Sequence, residues 1–183
     1  MEYTVVRSRR KTLCVEIRQG QVTVRAPLRV SGAEISRFLQ EKQPWIEKHL
    51  ARAKALEQEK KEVSLLTEGE ICILAEEAKA LIPDRVMYFA RLMGVTYGRI
   101  TIRCQRTRWG SCSSKGNLNF NCLLMLCPRE VLDSVIVHEL CHLKYMNHSA
   151  AFYAEVLRIL PDYRVQDRWL KKNGPVLMAR LGR

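Results

Sequence analysis

The feature that most constrains this sequence is the stretch 135–149, VIVHELCHLKYMNHS, which contains three of the chain's four histidines. His138 and His142 are four residues apart, so on a helix they lie on one face, one turn apart. The neighbouring positions are largely apolar, which predicts a helix buried on most sides. Because unpaired imidazoles are costly inside a core, the pattern favours a metal ion between them. A lone histidine such as His49 needs no such explanation and is assigned no role.

A third histidine and a glutamate complete the candidate metal centre. His148 follows His142 by six residues, so the chain must turn to bring it back, and Asn147 suits such a turn. Three protein ligands with an open fourth position are typical of catalytic zinc, whereas structural zinc has four protein ligands. Glu139, in the pattern H-E-x-x-H, is placed to act as general base toward a metal-activated water. Glu155 is the reserve ligand if His148 does not reach the metal.

Residues 1–64 are predicted to form an N-terminal portion with a β-hairpin and helices. Alternating apolar and polar residues indicate two strands, and proline is favoured as the first residue of a helix. In chain order the expected elements are strands 13–18 and 21–26 joined at Gln19-Gly20, a helix from the N-cap Ser31 to about Gln43, and a helix from Pro44.

Residues 65–183 are predicted to form a second domain, in which a small antiparallel sheet packs on helices. Thr67 begins a helix with a capping box, Pro83 should end or kink it, and helix then continues to Gly94. The further elements expected are strands 99–104 and 118–124, a helix from Pro128 to Met146, and a helix from Ser149 that ends at Pro161. Together the elements predict the α+β class.

The chain is strongly basic, with 31 Lys and Arg against 19 Asp and Glu and a net charge of +12. Such an excess favours polyanionic partners or acidic substrates, although a solvated basic surface has the same composition. Acidic residues are missing from the whole stretch 85–129. The candidate nucleic-acid contacts within it are Arg99, Arg103, Arg106 and Arg108.

Cysteine usage and the lack of long apolar runs predict a cytoplasmic protein. The seven cysteines are odd in number and form no C-x-x-C pair, so free thiols in a reducing compartment are the simplest interpretation. No apolar run approaches the ~20 residues of a membrane span, and no signal peptide begins the chain, so no membrane partner is expected. A second zinc site is disfavoured, because the spacing of its candidate ligands does not match a zinc ribbon or zinc finger. These ligands would be Cys104, Cys112, Cys122 and Cys127.

Several motifs together resemble the YgjP-like metallopeptidases, which are related to the SprT-like zinc proteases within the zincin class. The motifs are WGSC, the strand LNFNCLL, HELCH, NHS and the aromatic residue that follows, and RSRRKTLCVEI and VTVRAPLRVSGAEISRFLQEKQPWIEKHL are also similar. The resemblance covers most of the chain and implies a zincin-like catalytic domain over 65–183 that hydrolyses peptide bonds. It implies one Zn2+ ion per chain and Glu139 as the general base, with the ion on His138, His142 and His148.

The resemblance also implies which residues border the substrate cleft. The strand near Asn119 and Asn121 should lie beside it, and the WGSC turn, with Trp109 and Ser111, should be a packed hinge or a cleft wall. Tyr145 stands where metzincins with the same histidine spacing have glycine. The alternative candidates for assisting the oxyanion are Tyr145, Tyr153 and an arginine from 99–108.

The lead hypothesis is a zinc-dependent metallopeptidase acting on protein or peptide substrates, with nucleic-acid-associated proteins as a substrate group. Two alternatives stay open. A metal-dependent RNA hydrolase would share the histidine spacing and the basic charge, but such proteins do not carry a glutamate like Glu139 after the first histidine. A non-catalytic nucleic-acid-binding module would use zinc only for folding. The sequence does not define an oligomeric state.

Overall fold

The computed structural model describes residues 2–18 and 20–182, which form five α-helices, one 3-10 helix and six strands. In chain order these are β1 (Thr4–Ser8), β2 (Cys14–Arg18), β3 (Gln21–Pro27), α1 (Gly32–Glu62), α2 (Glu68–Met93), β4 (Ile100–Arg103), β5 (Gly110–Cys112), β6 (Leu118–Asn121), the 3-10 helix (Cys122–Leu126), α3 (Arg129–Cys141), α4 (Ala150–Ile159) and α5 (Tyr163–Ala179). This mixture confirms the predicted α+β class. None of the helices in the described residues is long and apolar enough to cross a membrane.

The chain divides into two compact units, one ending at Glu62 and the other beginning at Val63. The first unit contains β1 to β3 and α1, and the second contains all later elements. The assignment of 1–64 to an N-terminal portion and of 65–183 to a catalytic domain stays a prediction about how function is divided.

The first unit contains a three-stranded sheet in the order β1-β3-β2. β2 and β3 form the predicted antiparallel hairpin, in which Arg18 lies opposite Gln21. Gly20 adopts a φ of 77° in the turn, a conformation that favours glycine, and Gln19 lies outside the described residues. β1 pairs in parallel with β3 and was not predicted. All side chains of β1 are exposed, so no pattern of burial marks it in the sequence.

The helix break predicted at Pro44 is wrong, because α1 continues from Gly32 to Glu62 through this proline. Leu39 and Ile46, on either side of Pro44, are buried in the same core cluster as Val24 of β3. Burying side chains of this size stabilises by about 1.5–3 kcal/mol each, which offsets the cost of about 3 kcal/mol for an internal proline. Packing on the sheet therefore decides the length of α1.

Three helix ends form as the sequence predicts. At the start of α1 the Glu34 N–H donates to Ser31 Oγ at 3.2 Å, and the Ser31 N–H donates to the Glu34 carboxylate at 2.9 Å. Thr67 and Glu70 form the same reciprocal pair at the start of α2. α2 ends at Gly94, whose φ of 64° is left-handed. Such ends depend on a few neighbouring residues, so the local sequence defines them.

Of the two outcomes predicted at Pro83, an end or a kink, the end does not occur, since α2 is continuous over Glu68–Met93. Ala78 and Ile82 before the proline and Val86 after it are fully buried in the core of the second unit. As in α1, two halves that pack on one core remain a single helix despite the proline.

The second sheet has the order β4-β6-β5 and is mixed, not antiparallel. The strands predicted over 99–104 and 118–124 run parallel as β4 and β6, with Arg103 opposite Asn121. The WGSC segment supplies β5, which is antiparallel to β6. Apolar alternation indicates which face of a strand is buried but not the direction of its neighbour, so the orientation does not follow from the pattern.

α3 lies in the middle of the second unit's core and packs against α2, α4, α5 and β5. Every side chain from Val131 to Val137 is buried. Asp133 accepts two hydrogen bonds from the Arg85 guanidinium, at 2.9 and 2.6 Å, and this partly buried pair ties α2 to α3. The helix predicted to reach Met146 ends at Cys141.

α5 is not predicted from the sequence. Gly174 and Pro175 lie inside it, and both residue types disfavour helix. A Cβ atom at Gly174 would lie 3.1 Å from the indole ring of Trp109, so the missing side chain allows α5 to pack closely on the WGSC segment. The glycine is thus explained by packing that only the folded chain reveals.

Candidate metal centre

The first two histidines of the candidate centre lie at the C-terminal end of α3. His138 is in the last turn of the helix, and His142 is its C-terminal cap residue. The backbone turns directly after His142, where the Tyr145 N–H donates to the Cys141 carbonyl at 2.9 Å. The turn predicted near Asn147 therefore begins earlier in the chain.

The start of α4 brings the third histidine back toward α3. Ser149, next to His148, is the N-cap residue of α4, and its Oγ accepts a hydrogen bond from the Phe152 N–H at 3.3 Å. The phenyl ring of Phe152 is fully buried and packs against all three imidazoles, with centroid distances of 4.8–4.9 Å. One helical turn thus positions His148 and supports the whole cluster.

The three imidazoles converge on a common point. The ring centroids are 5.0 Å apart for His138 and His142, 4.9 Å for His138 and His148, and 4.8 Å for His142 and His148. The Nε2 atoms of His138 and His148 are 3.0 Å apart. Among the residues of 2–18 and 20–182, this is the one group of three His, Cys, Asp or Glu side chains whose ligand atoms could share a metal ion.

The outer nitrogens of two of these histidines contact protein oxygen atoms. Nδ1 of His142 lies 3.1 Å from the Tyr145 carbonyl, and Nδ1 of His138 lies 2.9 Å from the Tyr163 hydroxyl. A carbonyl only accepts, so His142 carries its proton on Nδ1 and offers a lone pair on Nε2. Three imidazole nitrogens suit zinc and leave one position of a tetrahedral site open, so the residues fit a catalytic zinc ion.

Burial keeps His138 and His142 in the neutral form that metal binding needs. The pKa of His138 is lowered to about 4, mainly by burial and further by the charges of His142 and His148. Burial also lowers the pKa of His142, although its hydrogen bond to the Tyr145 carbonyl acts in the opposite direction. At neutral pH both imidazoles are therefore unprotonated and able to bind a cation.

Glu139 lies beside the cluster in a nearly closed environment, with 6% of its surface exposed. Burial raises the pKa of its carboxyl group to about 7, while a hydrogen bond from the Cys112 backbone N–H lowers it. The Gly110 backbone passes directly over the carboxyl group, and a Cβ atom there would lie 2.7 Å from Glu139 Cγ and Oε1. β5 therefore covers the carboxylate only because residue 110 is glycine.

A cavity of about 320 Å3 opens beside His138 and Glu139. The loop before β5 forms one wall, with Arg108 and Trp109, and α5 supplies Tyr163 to the lining. The lining is largely apolar, and two residues of the candidate centre, His138 and Glu139, lie within it. The cavity is thus the space in which a substrate group would meet the H-E-x-x-H segment.

Of the predicted cleft residues, Trp109 lines this cavity, whereas the others lie outside its lining. Ser111 and Asn119 face each other across β5 and β6, and the Asn119 amide donates to Ser111 Oγ at 3.2 Å. Tyr145 contributes its backbone carbonyl to His142, and its side chain is exposed.

Asn121 lies behind the cavity wall and holds the loop that forms it. It is fully buried, and its side-chain amide donates to the carbonyls of Gln105 and Arg108. Its side-chain oxygen accepts from the Leu123 N–H at 3.2 Å at the start of the 3-10 helix. These bonds fix the loop that leads into Trp109.

The predicted arginine contacts are all exposed, but they have different surroundings. Arg108 lines the cavity. Arg106 donates to the Leu181 carbonyl at 3.1 Å, which links the loop before β5 to the segment after α5. Arg99 and Arg103 flank and end β4.

The reserve ligand Glu155 is engaged elsewhere and is not part of the histidine cluster. Lys144 and Arg158 form ion pairs with it at 2.7 and 2.8 Å. The hydrogen bond from Arg158, and to a smaller extent that from Lys144, lowers the pKa of Glu155 to about 2. The seven cysteines are free thiols, and within the described part of the chain none joins a second group of three or more potential metal ligands.

Sequence reasoning missed Tyr163, Phe152 as a support of the imidazoles, and Gly110 as the residue that admits Glu139 under β5. Tyr163 had no detectable signal, because α5 was not predicted. Phe152 follows the N-cap residue Ser149 by three positions, and this spacing could have placed it beside His148. Gly110 belonged to the WGSC motif, where its role depends on a contact between distant segments.

Comparison with known proteins gives a family match. The sequence model of the family described as "YgjP-like, metallopeptidase domain" matches residues 11–77 and 71–173, most of the chain. No curated protein matches the chain significantly.

Two solved structures resemble part of the chain. A crystal structure of the metallopeptidase zymogen of Pyrococcus abyssi abylysin is 22% identical and covers 50% of this chain and 94% of its own, with a TM-score of 0.46. A crystal structure of the metallopeptidase zymogen of Methanocaldococcus jannaschii jannalysin is 24% identical and covers 49% of this chain and 91% of its own, with a TM-score of 0.43.

Proposed function

The chain belongs to the family of YgjP-like metallopeptidases, and from that premise we propose that it cleaves peptide bonds with a single zinc ion and a glutamate general base. The proposed base is Glu139, and the proposed ligands are His138, His142 and His148. The observation that carries the proposal is the convergence of these imidazoles beside a buried carboxylate at the edge of a cavity.

A zinc ion held by the three imidazoles would polarise the scissile carbonyl and lower the pKa of water at its open position. The histidines supply neutral nitrogen ligands, and Phe152 holds their rings in place. Glu139 would take a proton from the attacking water and transfer it to the leaving amine. A carboxyl group whose pKa is raised toward neutral pH suits both steps, because it accepts and releases a proton readily there.

Substrate binding is proposed along β5. This strand pairs with β6 on one side only, so its other edge offers backbone groups to an extended peptide. Such a peptide would pass Gly110, which lies directly over Glu139. A side chain of the peptide would enter the cavity lined by Trp109 and Leu170.

The decisive variant is Glu139→Gln, because it removes the proton acceptor and keeps the shape of the side chain. Casein or peptide hydrolysis should fall by about 100-fold or more, with zinc content unchanged. Glu130→Gln is the matched control, since Glu130 is exposed in the first turn of the same helix. Full peptidase activity of Glu139→Gln would contradict the role of Glu139 as general base. A wild-type chain without peptidase activity would leave a binding role or RNA hydrolysis, and an RNA-cleavage assay with and without a chelator distinguishes these two.

We further propose that nucleic-acid-associated proteins are among the substrates. The support is the acid-free stretch 85–129 and the exposure of Arg99, Arg103, Arg106 and Arg108 in it. Phosphate contacts release counterions, so DNA affinity should fall steeply with salt. An affinity that is absent at low salt, or indifferent to salt, would contradict this extension and leave the peptidase proposal intact.

A further inference from the structure

The Tyr163 hydroxyl lies 2.9 Å from Nδ1 of His138, on the side of the imidazole opposite to the other histidines. We propose that Tyr163 is a positioning residue that fixes the Nδ1–H tautomer of His138 and thereby presents its Nε2 lone pair to the metal. This inference rests on the proposed function, because it concerns the same zinc site.

The direction of the hydrogen bond follows from which ring nitrogen is to bind the metal. Nε2 of His138 faces Nε2 of His148 at 3.0 Å, so Nε2 is the nitrogen on the side of the shared metal position. A nitrogen that binds a cation cannot carry a proton, so the proton of the neutral ring sits on Nδ1. Nδ1–H then donates, and the Tyr163 oxygen accepts.

The hydroxyl performs for His138 what a backbone carbonyl performs for His142. The Tyr145 carbonyl comes from the turn that follows α3, so it is supplied by local sequence. The Tyr163 hydroxyl comes from α5, and the ring of Tyr163 is stacked at 6.3 Å from the imidazole of His138. The first ligand therefore depends on the packing of α5 against α3, and its orientation is set by tertiary structure.

The surroundings of Tyr163 hold the hydroxyl in place. The residue is 8% exposed and belongs to the core cluster of the second unit. Its backbone N–H donates to the Leu160 carbonyl at 3.0 Å, which fixes the start of α5. Because the oxygen accepts from His138, its own hydrogen is free to point into the cavity that Tyr163 lines together with Glu139.

Removing the hydroxyl while keeping the ring tests the role directly. In Tyr163→Phe the phenyl ring fills the same space, but Nδ1–H of His138 loses its acceptor, and the Nε2–H tautomer competes. Partners of this kind contribute about 10- to 100-fold to metal affinity, so zinc should bind weaker by that factor. The matched control is Tyr97→Phe, because Tyr97 packs on the same core and lies outside the histidine cluster.

The experiment measures zinc dissociation constants by competition with a chromophoric chelator for wild type and both variants. The inference predicts a 10- to 100-fold increase for Tyr163→Phe and no more than about a twofold change for Tyr97→Phe. Equal affinity of Tyr163→Phe and wild type would overturn the inference and leave the peptidase proposal standing. A wild-type chain that binds no zinc would overturn both.

A second measurement needs no variant and covers the case in which Tyr163→Phe fails to fold. Nitrogen-15 NMR of histidine-labelled, metal-free wild type reports which ring nitrogen carries the proton. The inference predicts the Nδ1–H tautomer for His138. Detection of the Nε2–H tautomer there would overturn it.

Discussion

The two units contain three-stranded sheets of the same arrangement, with different consequences. In both, the strand that comes third in the chain lies in the centre, parallel to the first and antiparallel to the second. The first sheet packs on α1 through an apolar core, whereas the second borders α3, whose buried residues include Asp133 and Glu139. The strand arrangement itself therefore does not create a site; polar groups kept inside the core do.

The histidines make the same contrast. His49 of the first unit is half-buried, stacks on the Trp45 ring at 3.9 Å, and its Nδ1 contacts the Trp45 carbonyl. The three histidines of the second unit face each other. Nδ1 of His138 contacts the Tyr163 hydroxyl, and Nδ1 of His142 contacts the Tyr145 carbonyl. Histidine on a helix becomes a candidate ligand when several rings converge with free lone pairs.

Removing one imidazole from each unit should give the largest difference between the units, and the quantity that differs is zinc affinity. His142→Ala should weaken zinc binding by more than about 100-fold, because a ligand contributes more than the hydrogen-bond partners that support it. His49→Ala should leave zinc affinity unchanged. Equilibrium zinc competition on the two variants measures both effects, and equal losses would remove the distinction between the units.

Adding one methyl group to each unit should give an intermediate difference, which is a difference in the free energy of unfolding. Gly110→Ala places a Cβ atom 2.7 Å from Glu139, so the buried carboxylate must shift, and the free energy of unfolding should drop by about 1–3 kcal/mol along with peptidase activity. At Gly32 of α1 a Cβ atom meets nothing within 4 Å, so Gly32→Ala should be neutral or stabilise by less than about 1 kcal/mol. Urea unfolding compares the two, and a harmless Gly110→Ala would show that β5 does not constrain Glu139.

The smallest expected effect is on the pH dependence of fold stability, to which the ion pairs of Glu155 contribute. The pKa of Glu155 is lowered to about 2, so its ion pairs stabilise the fold above the carboxyl's ordinary pKa, and this contribution is lost as pH falls toward 2. Glu155→Gln should therefore destabilise by at most about 1 kcal/mol at pH 7, since pairs near the surface are screened, and should match wild type near pH 2. Unfolding curves at several pH values test this, and a difference that grows with acid would have the wrong sign.

A matched acid test exists in the first unit. Hydrogen bonds from the Ser31 backbone and side chain lower the pKa of the exposed Glu34. The loss of stability caused by Glu34→Gln should likewise shrink as the pH falls. The capping box is therefore a control for the ion pairs of Glu155. A Glu34 effect that is independent of pH would indicate that the cap acts through shape alone.

The sequence predicted those parts that depend on nearby residues. The capping boxes, the hairpin and the histidine spacing each span a few positions, and each is present in the structure. Their success reflects local physics: a side chain and a backbone group a few residues apart meet in only a few ways.

The parts that failed depend on packing between distant segments. α1 and α2 continue through Pro44 and Pro83 because buried side chains on both sides of each proline pack into one core. The parallel direction of β4, the presence of α5 and the contact of Tyr163 with His138 all require the whole second unit to be assembled. No window of the sequence contains that information.

The central claim is that three imidazoles hold one zinc ion beside a carboxylate. Crystals of the zinc-loaded chain, measured at the zinc absorption edge, test it most directly. The account predicts one anomalous peak per chain, about 2.0–2.1 Å from Nε2 of His138, His142 and His148. A chain without a peak there, or with His148 turned away from the metal, would contradict it.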